Sequence, residues 1–391
     1  MQYIKFENFI NSTQYGYTAE TTSPISGDAK YLRITDIVPY FVEKDRVPYC
    51  AIDASKVNKY LVHDGDVLIA RTGATTGYNL VVDDSFKNYV FASYLIRFNY
   101  DRKKLHPRYL KYVLKSPSWY GFVNNYIGGS AQPGMNARVF GKYYLPYTDF
   151  STQQKIASIL SAYDSLIENN KKRIKLLEQM AENLYKEWFV RFRFPGYETA
   201  EFEGGVPKGW KRVSLREYAN VIMGQSPESC FYNTEKLGLP FHQGCGSYGE
   251  FYLRDDIYST EGKRIAEPNS IIFSVRAPVG RINLTLNKII LGRGVAGINA
   301  KNNNNAFLLW LLKQKFSKED IIGNGAIFTS VTKNELLGQK LLIPNKELER
   351  KFNVIASNIE TEIKLLTLQK EVLTTQRDLL LPRLMSGKLS I

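Results

Sequence analysis

The sequence predicts an α+β protein built from two copies of one globular domain, each followed by a long helix. The two helices are expected to form an intramolecular antiparallel coiled coil, giving the chain pseudo-twofold symmetry. Three observations carry this reading. Ordered self-similarity recurs at a spacing of roughly 200 positions. A heptad stretch follows each copy, and each copy is rich in short β-branched and aromatic runs broken by Gly, Pro and Asn.

The repeat is weak in identity but keeps its order. Ile4, Phe6 and Phe9 alternate with polar residues as Val213, Leu215 and Tyr218 do. GDVLIARTGATTG (65–77) is then answered by NSIIFSVRAPVG (269–280), YIGGSA (126–131) by IIGNGA (321–326), and Leu145-Pro146 by Ile343-Pro344. QQKIASIL (153–160) is answered by ERKFNVIA (349–356). This places a first globular domain at 1–150, a first long helix at 151–193, a second domain at 194–345 and a second long helix with its tail at 346–391.

Within the domains, the runs VLIA (67–70) and SIIFSV (270–275) read as strands. PRYLKYVLKS from Pro107, with proline at the first helical position, and FLLWLLKQKF from Phe307 read as helices.

The segment after Ser151 lacks Gly and Pro. Ile156, Leu160, Tyr163, Ile167, Asn170, Ile174, Leu177, Ala181, Leu184 and Trp188 follow at steps of four and three. A helix over 153–190 would run ~57 Å and stop before Pro195-Gly196. The second copy supplies a matching seam in Phe352, Ala356, Ile359, Ile363, Leu366, Leu373, Leu380 and Leu384, interrupted by Lys370 and Arg377, with Pro382 ending or kinking it. Asn170, a polar residue on the seam, reads as a register device, since it lacks the companions a catalytic asparagine would need.

Lys and Arg number 52 against 38 Asp and Glu, a net charge of +14, which favours a polyanionic partner and nucleic acid first. The excess is shared by both domains, 18 basic against 13 acidic in 1–150 and 18 against 14 in 194–345. Two DNA-reading domains would share charge in this way, whereas a basic membrane anchor would concentrate it. Two such domains held ~50–60 Å apart would exceed one helical turn of DNA and could address separate half-sites.

No apolar run reaches membrane-spanning length and no signal peptide opens the chain, so a cytoplasmic protein without membrane attachment is expected. Cys50, Cys230 and Cys245 and the scattered His63, His106 and His242 favour neither disulfides nor a zinc site.

Catalytic signatures are missing. There is no Pro-Pro dipeptide of the kind that holds a flipped base in amino-methyltransferases, no phosphate-cradling G-x-x-x-x-G-K-[ST] loop and no G-x-S-x-G elbow. DRK (101–103) and ERK (349–351) match only a nuclease fragment. The chain reads as a binder without catalytic residues, metal or cofactor of its own.

The segment QQKIASILSAYDSLIENNKKRIKLLEQMAENLYKEWFVRF, then VPKGWKRVSLREYANVIMGQSP, and the ending LLLPRLMSGKLSI closely resemble the specificity subunits of type I restriction-modification systems. The resemblance covers essentially the whole chain. It implies two target recognition domains, each reading part of a split site in double-stranded DNA, and a coiled coil that sets the spacer. It also implies two modification subunits, which carry S-adenosylmethionine and the adenine methylation, and motor-nuclease restriction subunits that use ATP and Mg.

One departure is visible. VPKGW precedes the first strand of the second copy without a counterpart in the first, so either the C-terminal end completes the first domain or the lead is dispensable.

Candidate DNA contacts lie in Gly-flanked loops. They are Arg71, Thr72, Thr75 and Thr76 in RTGATTG, and Arg276 and Arg281 in VRAPVGR. A second pair of loops offers Ser130, Gln132, Asn136 and Arg138, answered by Thr329, Ser330, Thr332 and Lys333. The same glycines and threonines would also serve to make one shared turn twice. Lys171, Lys172 and Arg173 on the first long helix read either as phosphate contacts or as a solvated face. Trp188 and Phe189 are candidate anchors for a docked subunit, or else pack helix against domain. Two other readings remain, a non-catalytic coiled-coil adaptor with nonspecific DNA affinity and a self-sufficient DNA-modifying enzyme.

Overall fold

The structure, a computed structural model, describes residues 1–23, 28–127, 134–317, 330–389 and 391. It divides into two compact units, one formed by Met1–Asn169 with Lys370–Ile391 and the other by Asn170–Gln369. The division falls within both long helices, Phe150–Tyr185 and Lys346–Met385. Each unit therefore contains one globular domain and a length of each helix.

In the first unit a four-stranded antiparallel sheet runs in the order Ile10–Tyr15, Leu95–Tyr100, Val67–Ala70, Asn79–Val81. All four residues of Val67–Ala70 are buried, because both faces of this strand are covered, and this explains a continuous apolar run in place of alternation. A second sheet sets Ala29–Leu32 between Tyr49–Cys50 and Tyr89–Phe91, the latter in parallel. Strand Gln2–Lys5 pairs with Tyr144–Tyr147 and closes the domain. Helices Pro107–Val113, Pro117–Ile127 and Ala137–Gly141 complete it.

The second unit repeats the plan. Ala219–Met223, Val295–Ala300, Ile271–Ser274 and Ile282–Leu284 form a four-stranded sheet of the same order, and Lys211–Ser214 pairs with Lys340–Ile343. In its second sheet Leu239–His242 lies parallel to Ile289–Leu291, as Ala29–Leu32 does to Tyr89–Phe91. Helices Asn305–Lys315 and Lys333–Leu337 take the places of their counterparts.

The positions read as a helix seam are mostly buried. Ile156, Leu160, Ile167, Asn170, Ile174, Ala181, Phe352, Ala356, Ile359, Ile363, Leu366 and Leu384 are buried, while Tyr163, Leu177, Leu184, Leu373 and Leu380 are half-buried. In the second unit Asn170 Nδ2 donates to Gln369 Oε1 (3.0 Å), Arg173 faces Glu362 (3.9 Å) and the Tyr185 ring meets Phe352 (5.6 Å). As one number rises the other falls, so the segments are antiparallel there.

Two expectations need correction. Arg377 is no interruption. It is 5% exposed and donates to the equally buried Asp164 (3.0 Å), whose other oxygen accepts from Lys111 (2.6 Å) and Tyr112 (2.8 Å). The Tyr40 ring lies 3.9 Å from the Arg377 guanidinium carbon, so the charge is covered by an aromatic face. Pro382 does not end the second helix, which continues to Met385. Trp188 and Phe189 pack helix against domain. They lie in a π-helical turn, Lys186–Val190, buried against Phe352, with Phe189 also against Phe307 and Trp210.

The C-terminal end does complete the first domain. Leu381, Leu384 and Met385 share a core with Phe6, Phe98, Trp119, Ile156 and Leu160. In the second unit the tryptophan of VPKGW, Trp210, closes the helix end by packing on Phe189, Phe192 and Phe194.

Removing the carboxylate of Asp164 takes the ion-pair partner from Lys111 and leaves the buried Arg377 with Asp378 alone. Asp164→Ala is therefore expected to destabilise the first unit by about 3–5 kcal/mol, read by chemical denaturation of the full chain. In the second unit burial pushes the Glu360 carboxyl up to about 7, against the opposing pull of Trp310 and Lys313. An unfolded carboxyl ionises near 4.5, so stability falls as pH rises from there through about 7 and levels off above it. Glu360→Gln should flatten that decline in thermal unfolding measured from pH 5 to 8.

Candidate nucleic-acid interface

The candidate loops meet at the end of the four-stranded sheet in each domain, and the same backbone hydrogen bonds hold them in both. In the first domain Arg71 N–H donates to Tyr94 O (3.1 Å), Ala92 N–H to Leu32 O (2.9 Å) and Leu95 N–H to Ala92 O (2.9 Å). In the second, Val275 N–H donates to Gly294 O (2.9 Å), Gly292 N–H to His242 O (2.9 Å) and Val295 N–H to Gly292 O (3.1 Å). Met135 N–H bonds Arg71 O (2.8 Å) and Val331 N–H bonds Val275 O (2.9 Å), with bridges Thr72 to Gly134 and Arg276 to Ser330 alongside. The two candidate loops of each domain are therefore joined, although they are far apart in sequence.

Glycine makes the crossing possible. A Cβ on Gly16 would lie 2.2 Å from Ala92 O, and one on Gly224 would lie 2.1 Å from Gly292 O. Neither backbone oxygen can retreat without breaking the sheet end, so these two positions admit no side chain.

The loop 71–77 is further fastened from below. Trp119 Nε1 donates to Gly77 O (2.8 Å), and Gly77 has φ +86° with the Val123 side chain where a Cβ would fall. Arg71 is half-buried with its guanidinium 5.0 Å from the Tyr15 ring centre. Thr72 and Thr75 are half-buried, but Thr76 is buried and its hydroxyl donates to Gly73 O (2.8 Å), which makes it a turn residue. In the second domain Arg276, Arg281, Ser330 and Lys333 are exposed. Ser274 Oγ binds both ends of that loop, donating to Pro278 O (2.7 Å) and accepting from Arg281 N–H (2.9 Å).

Asn136 and Thr332 occupy one equivalent position. Asn136 Oδ1 accepts from Val139 N–H (3.0 Å) and Thr332 Oγ1 from Glu335 N–H (3.3 Å), each capping the short helix that follows. Arg138 is exposed on the first of these helices. Ser130, Gln132 and Thr329 lie outside the described residues. Of the basic cluster on the first long helix, Lys171 pairs with Glu250 (3.5 Å) and Arg173 faces Glu362, while Lys172 is exposed.

Sequence reasoning missed Gln225, Gln243 and Arg293, all exposed at this crossing. The signal that could have found Arg293 is its place between two glycines in LGRGV (291–295). Among the described residues no group of His, Cys, Asp and Glu could hold a metal ion, and no helix is long and apolar enough to cross a membrane.

The chain is thus built of a twice-repeated α+β domain and two long helices. The sequence profile of the type I restriction modification DNA specificity domain matches residues 29–179 and 207–375, and the chain belongs to this family. Its members are specificity subunits, in which enzymatic activity lies with partner subunits.

The chain is 28% identical over 350 residues to a protein of Methanocaldococcus jannaschii provisionally named the type I restriction enzyme MjaX specificity subunit, covering 87% of this chain and 82% of that one. It is 23% identical to the HindI specificity subunit of Haemophilus influenzae, covering 85% and 88%. The solved type I restriction-modification S subunit from M. genitalium shares the fold, with a TM-score of 0.62 at 16% identity over 98% of this chain and 95% of that one.

Because their side chains are used as caps, Asn136→Ala and Thr332→Ala are each expected to cost about 1 kcal/mol of stability and to leave DNA sequence preference unchanged. Thermal unfolding and target-site mapping of the same variants check both halves of this statement.

Proposed function

We propose that this chain is the DNA-reading and assembly subunit of a type I complex, each domain reading one half of a bipartite site in double-stranded DNA. The domain at 1–150 reads one half and the domain at 194–345 the other, while the helices at 151–193 and 346–391 form the coiled coil that sets the spacer. The same helices dock two modification subunits, which bring S-adenosylmethionine and the methylation chemistry, and restriction subunits bring ATP, Mg and cleavage.

One observation carries the reading. The loop crossing is built twice with the same backbone bonds, while the side chains it presents differ, with Thr72 in one copy answered by Arg276 in the other. A conserved scaffold with exchanged tips suits two readers of different sequences, because base edges are distinguished by side-chain donors and acceptors and the backbone only positions them. Arg71, Thr72, Thr75 and Arg138 in the first domain, and Arg276, Arg281, Ser330 and Lys333 in the second, are the candidate contacts that are at least partly exposed and cap no helix, whereas the exposed Asn136 and Thr332 serve as caps. Lys171, Lys172 and Arg173 on the first long helix are the candidate phosphate contacts.

The test is methylation mapping. The chain is co-expressed with its modification subunit in a methylation-free host, and N6-methyladenine is sequenced genome-wide. One bipartite motif that requires both chains is the expected outcome. A stoichiometric complex that leaves no motif would overturn the reading in favour of an adaptor.

A further inference from the structure

Resting on that reading, we propose that the base-reading edge of the second domain is the turn Gly292-Arg293-Gly294 together with Gln225, Gln243 and Arg276. The equivalent turn of the first domain, Ser93-Tyr94, reads the other half-site.

The geometry argues for a presented edge. Gly292 and Gly294 are buried and Arg293 between them is exposed. A Cβ on Gly292 would lie 2.7 Å from Gln243 Cα, and one on Gly294 would lie 2.4 Å from Gln243 O. The turn is thus pressed against the 243 loop, and its arginine has only the outward direction.

Ser226 ties three segments together at this point. Its hydroxyl donates to Gln243 Oε1 (2.6 Å) and accepts from Arg293 N–H (3.1 Å). Gln225 N–H is fixed on Leu291 O (2.8 Å) and Val275 N–H, beside Arg276, on Gly294 O (2.9 Å). Four exposed side chains from four separate segments are therefore carried on one hydrogen-bonded backbone, a preorganised arrangement that a merely solvated loop would not need.

Their chemistry names the ligand. Two guanidinium groups and two carboxamides match the donor and acceptor pairs of duplex base edges, arginine for guanine O6 and N7 and glutamine for adenine N6 and N7. No carboxylate belongs to the four.

The first domain keeps the scaffold and changes the tip. Residues 92 to 95 make the same turn, with Tyr94 55% exposed, and Thr72 stands where Arg276 stands. Arg33, which answers Gln243, is held by Asp36 (3.0 Å). The two copies thus present different groups at equivalent places, as required for unlike half-sites.

The experiment uses the full complex with methylome sequencing. Wild type, Arg293→Ala, Arg293→Lys and Tyr94→Ala are compared, with assembly of each confirmed by its stoichiometry. A bipartite wild-type motif establishes the underlying reading on its own.

Given that motif, Arg293→Ala and Tyr94→Ala should each relax one half-site and not the same one, with discrimination at the affected base pair falling about tenfold or more. Arg293→Lys should also relax it, since lysine keeps the charge and loses the guanidinium fork. An unchanged motif in Arg293→Ala would overturn the proposal. So would a uniform loss of methylation at all sites that Arg293→Lys restores, the signature of a phosphate contact. Either result would leave the two-reader function standing.

Discussion

The structure depends on a seam between two stretches of chain that are about 200 residues apart, a separation at which closing the loop costs conformational entropy before any contact repays it. Each unit takes part of both long helices. In the first unit the last turns of the chain enter the core with Leu381, Leu384 and Met385, so that domain is not finished until the C-terminus has returned to it. In the second, Phe352 is fully buried among Tyr185, Trp188, Phe189 and Phe307. The aromatic mass there comes from both helices and from the domain, and this fixes the helix against the domain as firmly as against its partner helix.

Polar groups on or beside the seam specify what the apolar ones only stabilise. Leucines and isoleucines at heptad positions tolerate sliding, whereas Asn170 facing Gln369 and Asp164 facing Arg377 do not. The Asp164 site is the more demanding, because its charges are removed from water and must be matched by Lys111, Tyr112, Tyr40 and Asp378 around them. Two of those residues, Lys111 and Tyr112, come from the domain helix Pro107–Val113, so one buried carboxylate fixes both the pairing of the helices and the seating of the domain upon them.

The interface follows the same economy. Both domains use an invariant set of backbone bonds at the end of the main sheet, with Gly16 and Gly224 allowing the crossing. Caps at Asn136 and Thr332 hold the neighbouring short helices. What remains exposed on that scaffold is a small group of side chains that differ between the two copies.

The sequence by itself determined the repeat, the α+β class, the two long helices and most of the seam, because periodicity and ordered self-similarity are local or one-dimensional properties that survive in a string of residues. It also determined which loops carry glycine and donor side chains. Tertiary structure decided the rest. Arg377 reads as a break in a heptad until Asp164 is seen beside it, and Trp188 and Phe189 read as either docking anchors or packing residues until Phe307, Trp210 and Phe352 are seen around them. The hydroxyls of Thr76 and Thr332 read as donors to a ligand until they are seen donating to Gly73 O and Glu335 Oε2, and the capping role of Asn136 Oδ1 shows only once Val139 N–H is seen bonded to it. Arg293 and Gln243 drew no notice in sequence, 50 residues apart, and became neighbours only through a parallel strand pair and the hydroxyl of Ser226. In each case the deciding quantity is the partner a group meets across long sequence separation, and burial and hydrogen bonding of that kind are not written in any local pattern.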